Sequence, residues 1–358
     1  MKRSIFSGLR IPSVLLSCAV ILSLAPTSYA KPGGTLTVVL QGLHSPRGLS
    51  FGPGDILYVA QAGDAGNSSS IIEIRNSMSN HATFRTIVSG LPTAGDEGEF
   101  IGVSGISVIG RGSNERIYAI MGLFPDEGGN PMFGDLLKAR LDGSFDIIAN
   151  VGEAGIAYTT ANPDPKEPLP DSNPYGVLAI PGHVYVADAG SNILDEVFPD
   201  GTVQVMAYFP DEIIRDAIPT CVAQGPDGAL YVGTLALVDS FSIGPSAKVW
   251  RIDPANVNTS DPTLTPKTLW ASGLYPINGC TFGPDGNFYA SQLFTNDFFT
   301  DPQGDVVKIP FSDPDTHIFL TDGALSYAGG VAVAPNGDVF VADGTFGVPN
   351  GRVLKISH

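Results

Sequence analysis

One pattern of hydrophobic and polar positions recurs along the chain: a short apolar run, a Gly-Pro-Asp-Gly type of turn, and a second run rich in aromatic and β-branched residues. Proline fixes φ in such a turn and glycine takes its positive-φ position. The two runs are therefore predicted to pair as an antiparallel hairpin. The pattern occurs in six segments: 46–60, 105–120 (the weakest copy), 174–187, 219–233, 279–290 and 330–342.

Most copies continue into a third apolar run, and some into a fourth that leads to the next copy, such as 86–88 and 202–206. Four strands per repeat, recurring every ~45–70 residues, is typical of a propeller blade. The third runs are 71–74, 136–139, 193–197, 248–252, 306–309 and 353–356. The sequence therefore predicts an all-β fold, a six-bladed β-propeller, with its extra length in two loops at 124–134 and 162–173.

The ends of the chain indicate how the ring closes. The segment 35–40 precedes the first hairpin and has no blade of its own, whereas the last repeat stops at its third strand near 356. Together the two pieces complete one four-stranded blade, so the N-terminal strand is expected to pair with the C-terminal blade. Residues 31–358 are thus predicted to form one propeller domain without exposed ring ends.

Residues 1–30 are predicted to be a signal peptide rather than part of the fold. Basic residues within 2–10 precede an apolar run at 14–24, and Ser-Tyr-Ala at 28–30 is a small-x-small cleavage signal. The mature chain would begin near Lys31 and be exported to the periplasm or the extracellular space. A lipoprotein attached through Cys18 is the alternative, but the apolar run continues past Cys18 and favours simple cleavage.

The charge balance excludes some partners. The net charge is −17, and all residues before Lys31 are basic or neutral, so cleavage makes the chain more acidic. A strongly acidic protein is a poor partner for nucleic acid and for anionic membrane surfaces. No later segment is apolar enough to span a bilayer, so no integral membrane segment is expected in the mature chain.

The order of several motifs resembles the ScyD/ScyE family of exported bacterial propellers. The motifs are 45–49, 171–176, 185–190 and 225–233, of which Asp-Ser-Asn-Pro-Tyr-Gly at 171–176 is the most specific. Gly-Pro-Asp-Gly turns alone are shared with NHL and gluconolactonase-like propellers. The family is associated with scytonemin, an indolic–phenolic sunscreen pigment. The resemblance therefore implies export and a role in coupling aromatic monomers outside the cytoplasm.

Topology predicts where a ligand site would lie. The start of each first strand and the end of each second strand meet at one mouth of the channel, whereas the Gly-Pro-Asp-Gly turns lie at the other. Loops at one face of a rigid scaffold often carry function, so a small-molecule ligand is expected at this mouth. The candidate ligand-binding residues are Arg47, Glu99, Asn173, Tyr175, Asp188, Asn192, Thr220, Asn278 and Asp343.

Acids and amides predominate in this set, and such oxygens suit a divalent cation, Ca²⁺ rather than Zn²⁺ or Cu²⁺. The candidate metal ligands are Glu99, Asp188 and Asn278. Asn278 is included because Pro-Ile-Asn-Gly at 276–279 resembles the Pro-Asn-Gly turn of gluconolactonase-like propellers, with one residue inserted. The alternative is that these groups cap strand ends and turns.

Two cysteines remain after the predicted cleavage, Cys221 and Cys280, in the first strands of consecutive repeats. A disulfide between them is one interpretation, and two ordinary buried apolar residues is the other. The Pro-rich segment 162–173 is similarly open: it is either a loop over the mouth or a surface insertion.

The sequence is compatible with two functions. The first is an enzyme or enzyme accessory acting on a small aromatic or cyclic molecule at the mouth. The second is a non-catalytic module that binds a protein or cell-envelope partner. No Gly-x-Ser-x-Gly, His-Glu-x-x-His or phosphate-binding loop is present, so no reaction is indicated. Clustered carboxylates and amides in the channel would favour the first function, and an exposed aromatic patch the second.

Overall fold

The computed structural model describes residues 35–79, 81–96, 99–110, 114–166, 168–211, 213–346 and 350–357. These residues form six four-stranded antiparallel blades in a ring, which confirms the six-bladed β-propeller. Blades 1 to 3 comprise β2 Pro46–Phe51, β3 Leu57–Gln61, β4 Ser69–Arg75 and β5 Thr83–Leu91; β8 Val103–Ile109, β9 Arg116–Met121, β10 Asp135–Ala139 and β11 Phe145–Asn150; and β12 Pro174–Ile180, β13 His183–Asp188, β14 Ile193–Val197 and β15 Val203–Tyr208.

The other three blades follow the same inner-to-outer order, and a small ribbon of β6 Ala94–Asp96 and β7 Glu99–Ile101 lies between blades 1 and 2. In blade 5 the third strand pairs with two short segments, β23 and β24. Blades 4 to 6 comprise β16 Pro219–Gln224, β17 Leu230–Thr234, β18 Ala247–Ile252 and β19 Lys267–Leu274; β20 Ile277–Phe282, β21 Phe288–Gln292, β22 Gln303–Ile309, β23 Ile318–Phe319 and β24 Leu325–Ser326; and β25 Val331–Val333, β26 Val339–Asp343, β27 Gly351–Ser357 and β1 Thr35–Leu43.

The ring closes as predicted. Strand β1 pairs antiparallel with β27, with Leu36 opposite Ile356 and Val38 opposite Leu354. The first strand of the chain is thus the outermost strand of the last blade. This pairing joins both ends of the described chain in one sheet.

The hydrophobic core is divided among the blade interfaces. One cluster of buried side chains lies between each pair of neighbouring blades, for example Ile120 against Val177 between blades 2 and 3. Fully burying such a side chain contributes roughly 1.5–3 kcal/mol. The alternation of inward and outward residues along each strand therefore stabilises both faces of every blade.

A ring of glycines sets the width of the channel. Glycine lines the channel cavity in, or directly before, five of the six first strands: Gly48, Gly105, Gly176, Gly279 and Gly330. A Cβ on Gly176 would lie 2.4 Å from the Thr220 carbonyl oxygen of the next blade. Only glycine allows the inner strands to approach so closely. Blade 4 carries Cys221 at this level instead.

The structure also contains helices that the strand-and-turn pattern did not predict: α1 Pro125–Gly128, α2 Val151–Ala161 and α3 Leu237–Ile243. Helix α2 begins where the Asn150 side chain accepts a hydrogen bond from the Glu153 amide at 2.8 Å, a cap that stabilises the first turn. All three helices are inserted in connections on the mouth side. The repeat pattern could not reveal them because each interrupts only one repeat.

The predicted signal peptide, with the alternative attachment site at Cys18, lies outside the described residues. Among the described residues, no helix is both long and apolar enough to cross a membrane.

Candidate functional site

The starts of the first strands surround a narrow channel cavity of about 60 Å³. Four of the nine predicted ligand residues line it: Arg47, Tyr175, Thr220 and Asn278. Pockets that hold drug-sized ligands measure roughly 300–1,000 Å³. The channel itself is therefore too small for an aromatic molecule, and a ligand of that size would have to lie above it.

The other five predicted residues, Glu99, Asn173, Asp188, Asn192 and Asp343, do not line the cavity. Asp188 and Asp343 end the second strands of their blades, Glu99 begins β7, and Asn173 and Asn192 lie in connections. Asp343 forms an ion pair of 2.6 Å with Arg352 and accepts a hydrogen bond from the Ser326 amide. The Asn192 side chain holds the connection that leads into blade 4: it accepts a hydrogen bond from the Ile218 amide and donates one to Asp216.

Asp188 is the centre of a closed hydrogen-bond network. Its buried carboxylate accepts five hydrogen bonds, from the Ser172 and Ser191 hydroxyls and from the amides of Asn173, Gly190 and Ser191, at 2.5–3.1 Å. Burial raises the pKa of Asp188, and these donors oppose that effect. The Ser-Asn pair of the 171–176 motif is thus explained by the structure: it ties the start of blade 3 to the end of its second strand.

Two of the three predicted metal ligands, Asp188 and Asn278, already make hydrogen bonds within the protein. Both oxygens of Asp188 are engaged by donors, the Asn278 amide donates to the Ala328 carbonyl oxygen at 2.9 Å within the channel, and Glu99 is a buried residue of β7. Within the described ranges, no group of three or more His, Cys, Asp or Glu side chains could hold a metal ion. The divalent cation stays a prediction that these three residues do not support.

Asp195, which the sequence analysis did not single out, is a buried carboxyl group of a different kind. It lies on β14, is 0% exposed, and neither carboxyl oxygen has a hydrogen-bond partner among the described residues. Burial, and secondarily the charge of Asp188, raises the pKa of Asp195 well above its usual range. Its interior position on a third strand gave no sequence signal beyond an acid in an apolar run.

Replacing Asp195 with asparagine is expected to stabilise the protein at neutral pH. The folded state holds the Asp195 proton more tightly than the unfolded chain, whose aspartates have a pKa of about 3.9. Stability from this group is therefore present below that value and lost as pH rises toward the raised folded pKa.

Urea unfolding at several pH values checks the Asp195 prediction. Asp195→Asn should remove a pH dependence of up to about 1.4 kcal/mol per pH unit in the free energy of unfolding. The difference between variant and wild type should therefore grow from pH 4 to pH 7. A constant difference across this range would contradict the assignment.

A cluster of aromatic side chains lies at the mouth, above the channel. We call Phe241, Phe294, Phe298, Phe299, Tyr327 and Phe346 the mouth cluster. Phe298 is buried at its centre, with ring centroids 5.0–5.6 Å from five of these neighbours' rings. These are the edge-to-face distances that aromatic pairs prefer. Phe346 also lies beneath the mouth, with its centroid 5.8 Å from the Arg47 guanidinium carbon.

One ring of the mouth cluster is presented to solvent. Phe299 is 67% exposed and stacks on Phe241, with centroids 5.9 Å apart and planes at 23°. Two exposed isoleucines belong to the segments around α3, the helix that carries Phe241: Ile243 ends this helix, and Ile213 precedes Ile214, whose amide donates to Asp239 of the helix. The sequence contained a signal for this surface: the segments after the second strands of blades 4 and 5 are apolar where blade 3 has Asp and Gly.

The Pro-rich segment 162–173 has no regular secondary structure over its described residues, in agreement with its composition. Two of its contacts are with the end of blade 3 and the connection that follows it: Tyr208 donates to Asp164, and Lys166 pairs with Asp211 at 2.9 Å. Near it lies an open cleft of about 750 Å³ between blades 3 and 4, lined by residues that include Tyr158, Gln204 and Asp261.

Cys221 and Cys280 form a disulfide, with Cα atoms 5.7 Å apart. The bond joins the first strands of blades 4 and 5 at the level of the glycine ring. Cys221 stands where the other five blades have glycine.

No family model matches the chain, and no curated protein matches it. Solved structures do: a luciferin-regenerating enzyme (13% identity, 91% of this chain and 96% of that chain, TM-score 0.54), a putative oxidoreductase described as glucose dehydrogenase from Thermus thermophilus (16%, 90% and 100%, 0.55), and a gluconolactonase from Xanthomonas campestris (13%, 90% and 89%, 0.54). At these identities the likeness establishes a shared fold and not a shared activity. The chain is therefore a six-bladed β-propeller that shares its fold with these proteins.

Proposed function

We propose that the protein is an exported propeller that binds a small aromatic molecule on the mouth cluster. The observation that supports this most is the exposed Phe299 ring, held parallel to Phe241. Monomeric proteins rarely expose large aromatic side chains in contiguous patches without a binding role. A ligand ring placed on the free face of Phe299 would extend the existing stack.

The rigidity of the platform supports the same function. Phe241 is stacked on Phe294 as well as on Phe299, with a centroid distance of 5.2 Å, and Phe294 is buried. The Phe241 ring is therefore fixed before any ligand arrives, which reduces the entropy lost on binding. An offset-stacked aromatic pair contributes about 0.5–1.5 kcal/mol beyond the area that it buries.

Export and the aromatic nature of the ligand have independent support. Disulfides persist in oxidising compartments, and the Cys221–Cys280 bond agrees with a location outside the cytoplasm. The resemblance to the ScyD/ScyE family agrees with an aromatic ligand, since that family is associated with an indolic–phenolic pigment. The proposal assigns no reaction and includes no metal ion.

A second candidate function is docking of a protein or cell-envelope partner on the same surface. The observation that favours it is the exposure of two further apolar side chains, Ile213 and Ile243, the second of which ends the helix that carries Phe241. Isoleucine side chains offer no stacking face, so a small planar ligand would make little use of them.

Substitution of Phe299 tests the proposed binding. Phe299→Ala should weaken the binding of indole and of phenol by about 1 kcal/mol, roughly fivefold in Kd, because the outer face of the stack is lost. Isothermal titration of the purified protein measures this effect. Cyclohexanol, of similar size but without a π-system, should bind more weakly than phenol.

Phe84→Ala is the matched control, because Phe84 is 62% exposed on β5, away from the mouth. Equal losses in both variants, or no difference between phenol and cyclohexanol, would refute an aromatic site. Ile213→Ser with Ile243→Ser should leave indole affinity unchanged. A loss in that double variant would instead favour the wider docking surface.

A further inference from the structure

Arg47 is the one charged residue among those that line the channel cavity. Its side chain is 1% exposed, on a protein whose net charge is −17. We infer that the cavity binds one small monovalent anion, between chloride and formate in size, against the Arg47 guanidinium. This inference does not depend on the proposed aromatic ligand, which would lie outside the channel.

The hydrogen-bond partners of Arg47 are all neutral. Nε and Nη2 donate to the Phe100 carbonyl oxygen at 3.2 and 2.6 Å, and Nη1 donates to the Tyr175 hydroxyl at 3.2 Å. The guanidinium carbon lies 5.5 Å from the Tyr175 centroid and 5.8 Å from that of Phe346. Among the residues that the structure describes, no carboxylate forms an ion pair with Arg47.

A buried cation without an anion is costly. Removing a charge from water costs several kcal/mol unless an opposite charge or a full set of hydrogen bonds compensates. Two aromatic faces recover part of this cost. The three hydrogen bonds leave two of the five guanidinium N–H groups without a described acceptor. An anion in the adjacent cavity would supply both the missing charge and the missing acceptor.

The cavity suits such an anion in size and in donors. Its volume of about 60 Å³ admits an ion or a few waters and excludes larger molecules. The Tyr175 hydroxyl accepts from Arg47 and therefore keeps its own proton to donate. The Asn278 amide uses one N–H on the Ala328 carbonyl and retains the other. Every other lining residue is uncharged.

Crystals of the protein grown in sodium bromide provide the direct test. An anomalous difference peak in the channel within hydrogen-bond distance of Arg47 would support the site. Ordered water at that position, with no anomalous signal at bromide concentrations up to 0.5 M, would overturn it. This measurement requires no variant and is unaffected if substitutions of the buried Arg47 fail to fold.

Thermal unfolding gives a second readout in solution. Replacing sodium isethionate by sodium chloride at constant ionic strength should raise Tm saturably, because the smaller anion binds the folded state. Arg47→Gln should abolish this rise. Arg251→Gln should retain it, since Arg251 pairs with Asp227 at the opposite side of the ring. Equal chloride effects in the two variants would contradict the site.

Discussion

Replacing Cys221 and Cys280 with alanine is expected to lower the free energy of unfolding by about 4 kcal/mol. The bond closes a loop across a sequence separation of 59 residues, and this is the entropy that such a loop would regain in the unfolded chain. The loss is large against the 5–15 kcal/mol that stabilises a typical domain. Guanidinium denaturation of the double variant measures it.

Each single variant is expected to lose as much as the double variant, because either substitution opens the bond. Reduction of the wild-type protein should reproduce the loss within the effect of the two buried thiols. If the double variant unfolds at the same denaturant concentration as the oxidised wild type, the disulfide does not stabilise the ring.

Gly176→Ala is expected to destabilise the protein by roughly 3 kcal/mol, the upper range for overpacking. The new methyl group would meet the Thr220 carbonyl oxygen at 2.4 Å and the Cys221 Cα at 2.9 Å. Both are backbone atoms of the next blade, so no side chain can rotate away. The clash can only be relieved by moving blade 4 outward, which strains the closed ring.

Gly228→Ala is the comparison that separates crowding from backbone strain. Gly228 has a φ of +80° in its turn, and its Cβ would meet nothing within 4 Å. Its cost should be limited to about 1–2 kcal/mol, that of a left-handed alanine. Thermal unfolding of both variants decides: a smaller loss for Gly176→Ala than for Gly228→Ala would show that the glycine ring is not tightly packed.

The architecture could be predicted from sequence because its strand–turn–strand pattern occurs six times along the chain. Turn residues such as Gly228 and Gly286 have positive φ, as their position in the repeat requires, and the pairing of β1 with β27 follows from counting strands. Helix α2 could not be predicted in this way, since it occurs once. Its buried residue Val151 joins the core cluster between blades 2 and 3 without a repeating signal.

The candidate site was predicted less completely. Topology placed Arg47, Tyr175, Thr220 and Asn278 together at the channel. It could not show that Asp188 accepts five hydrogen bonds within the protein, because the donors include backbone amides that sequence does not distinguish. The mouth cluster was not predicted because its aromatic residues lie in connections that each occur once, outside the repeated strand-and-turn pattern.

The most direct test of aromatic binding at the mouth is a ¹⁹F NMR titration of protein labelled with 4-fluorophenylalanine. Indole is the titrant, and Phe299→Leu, Phe241→Leu and Phe84→Leu assign the three resonances that matter. The account predicts that the Phe299 and Phe241 signals shift saturably while the Phe84 signal does not move. Saturable binding that leaves both mouth signals unchanged would contradict it.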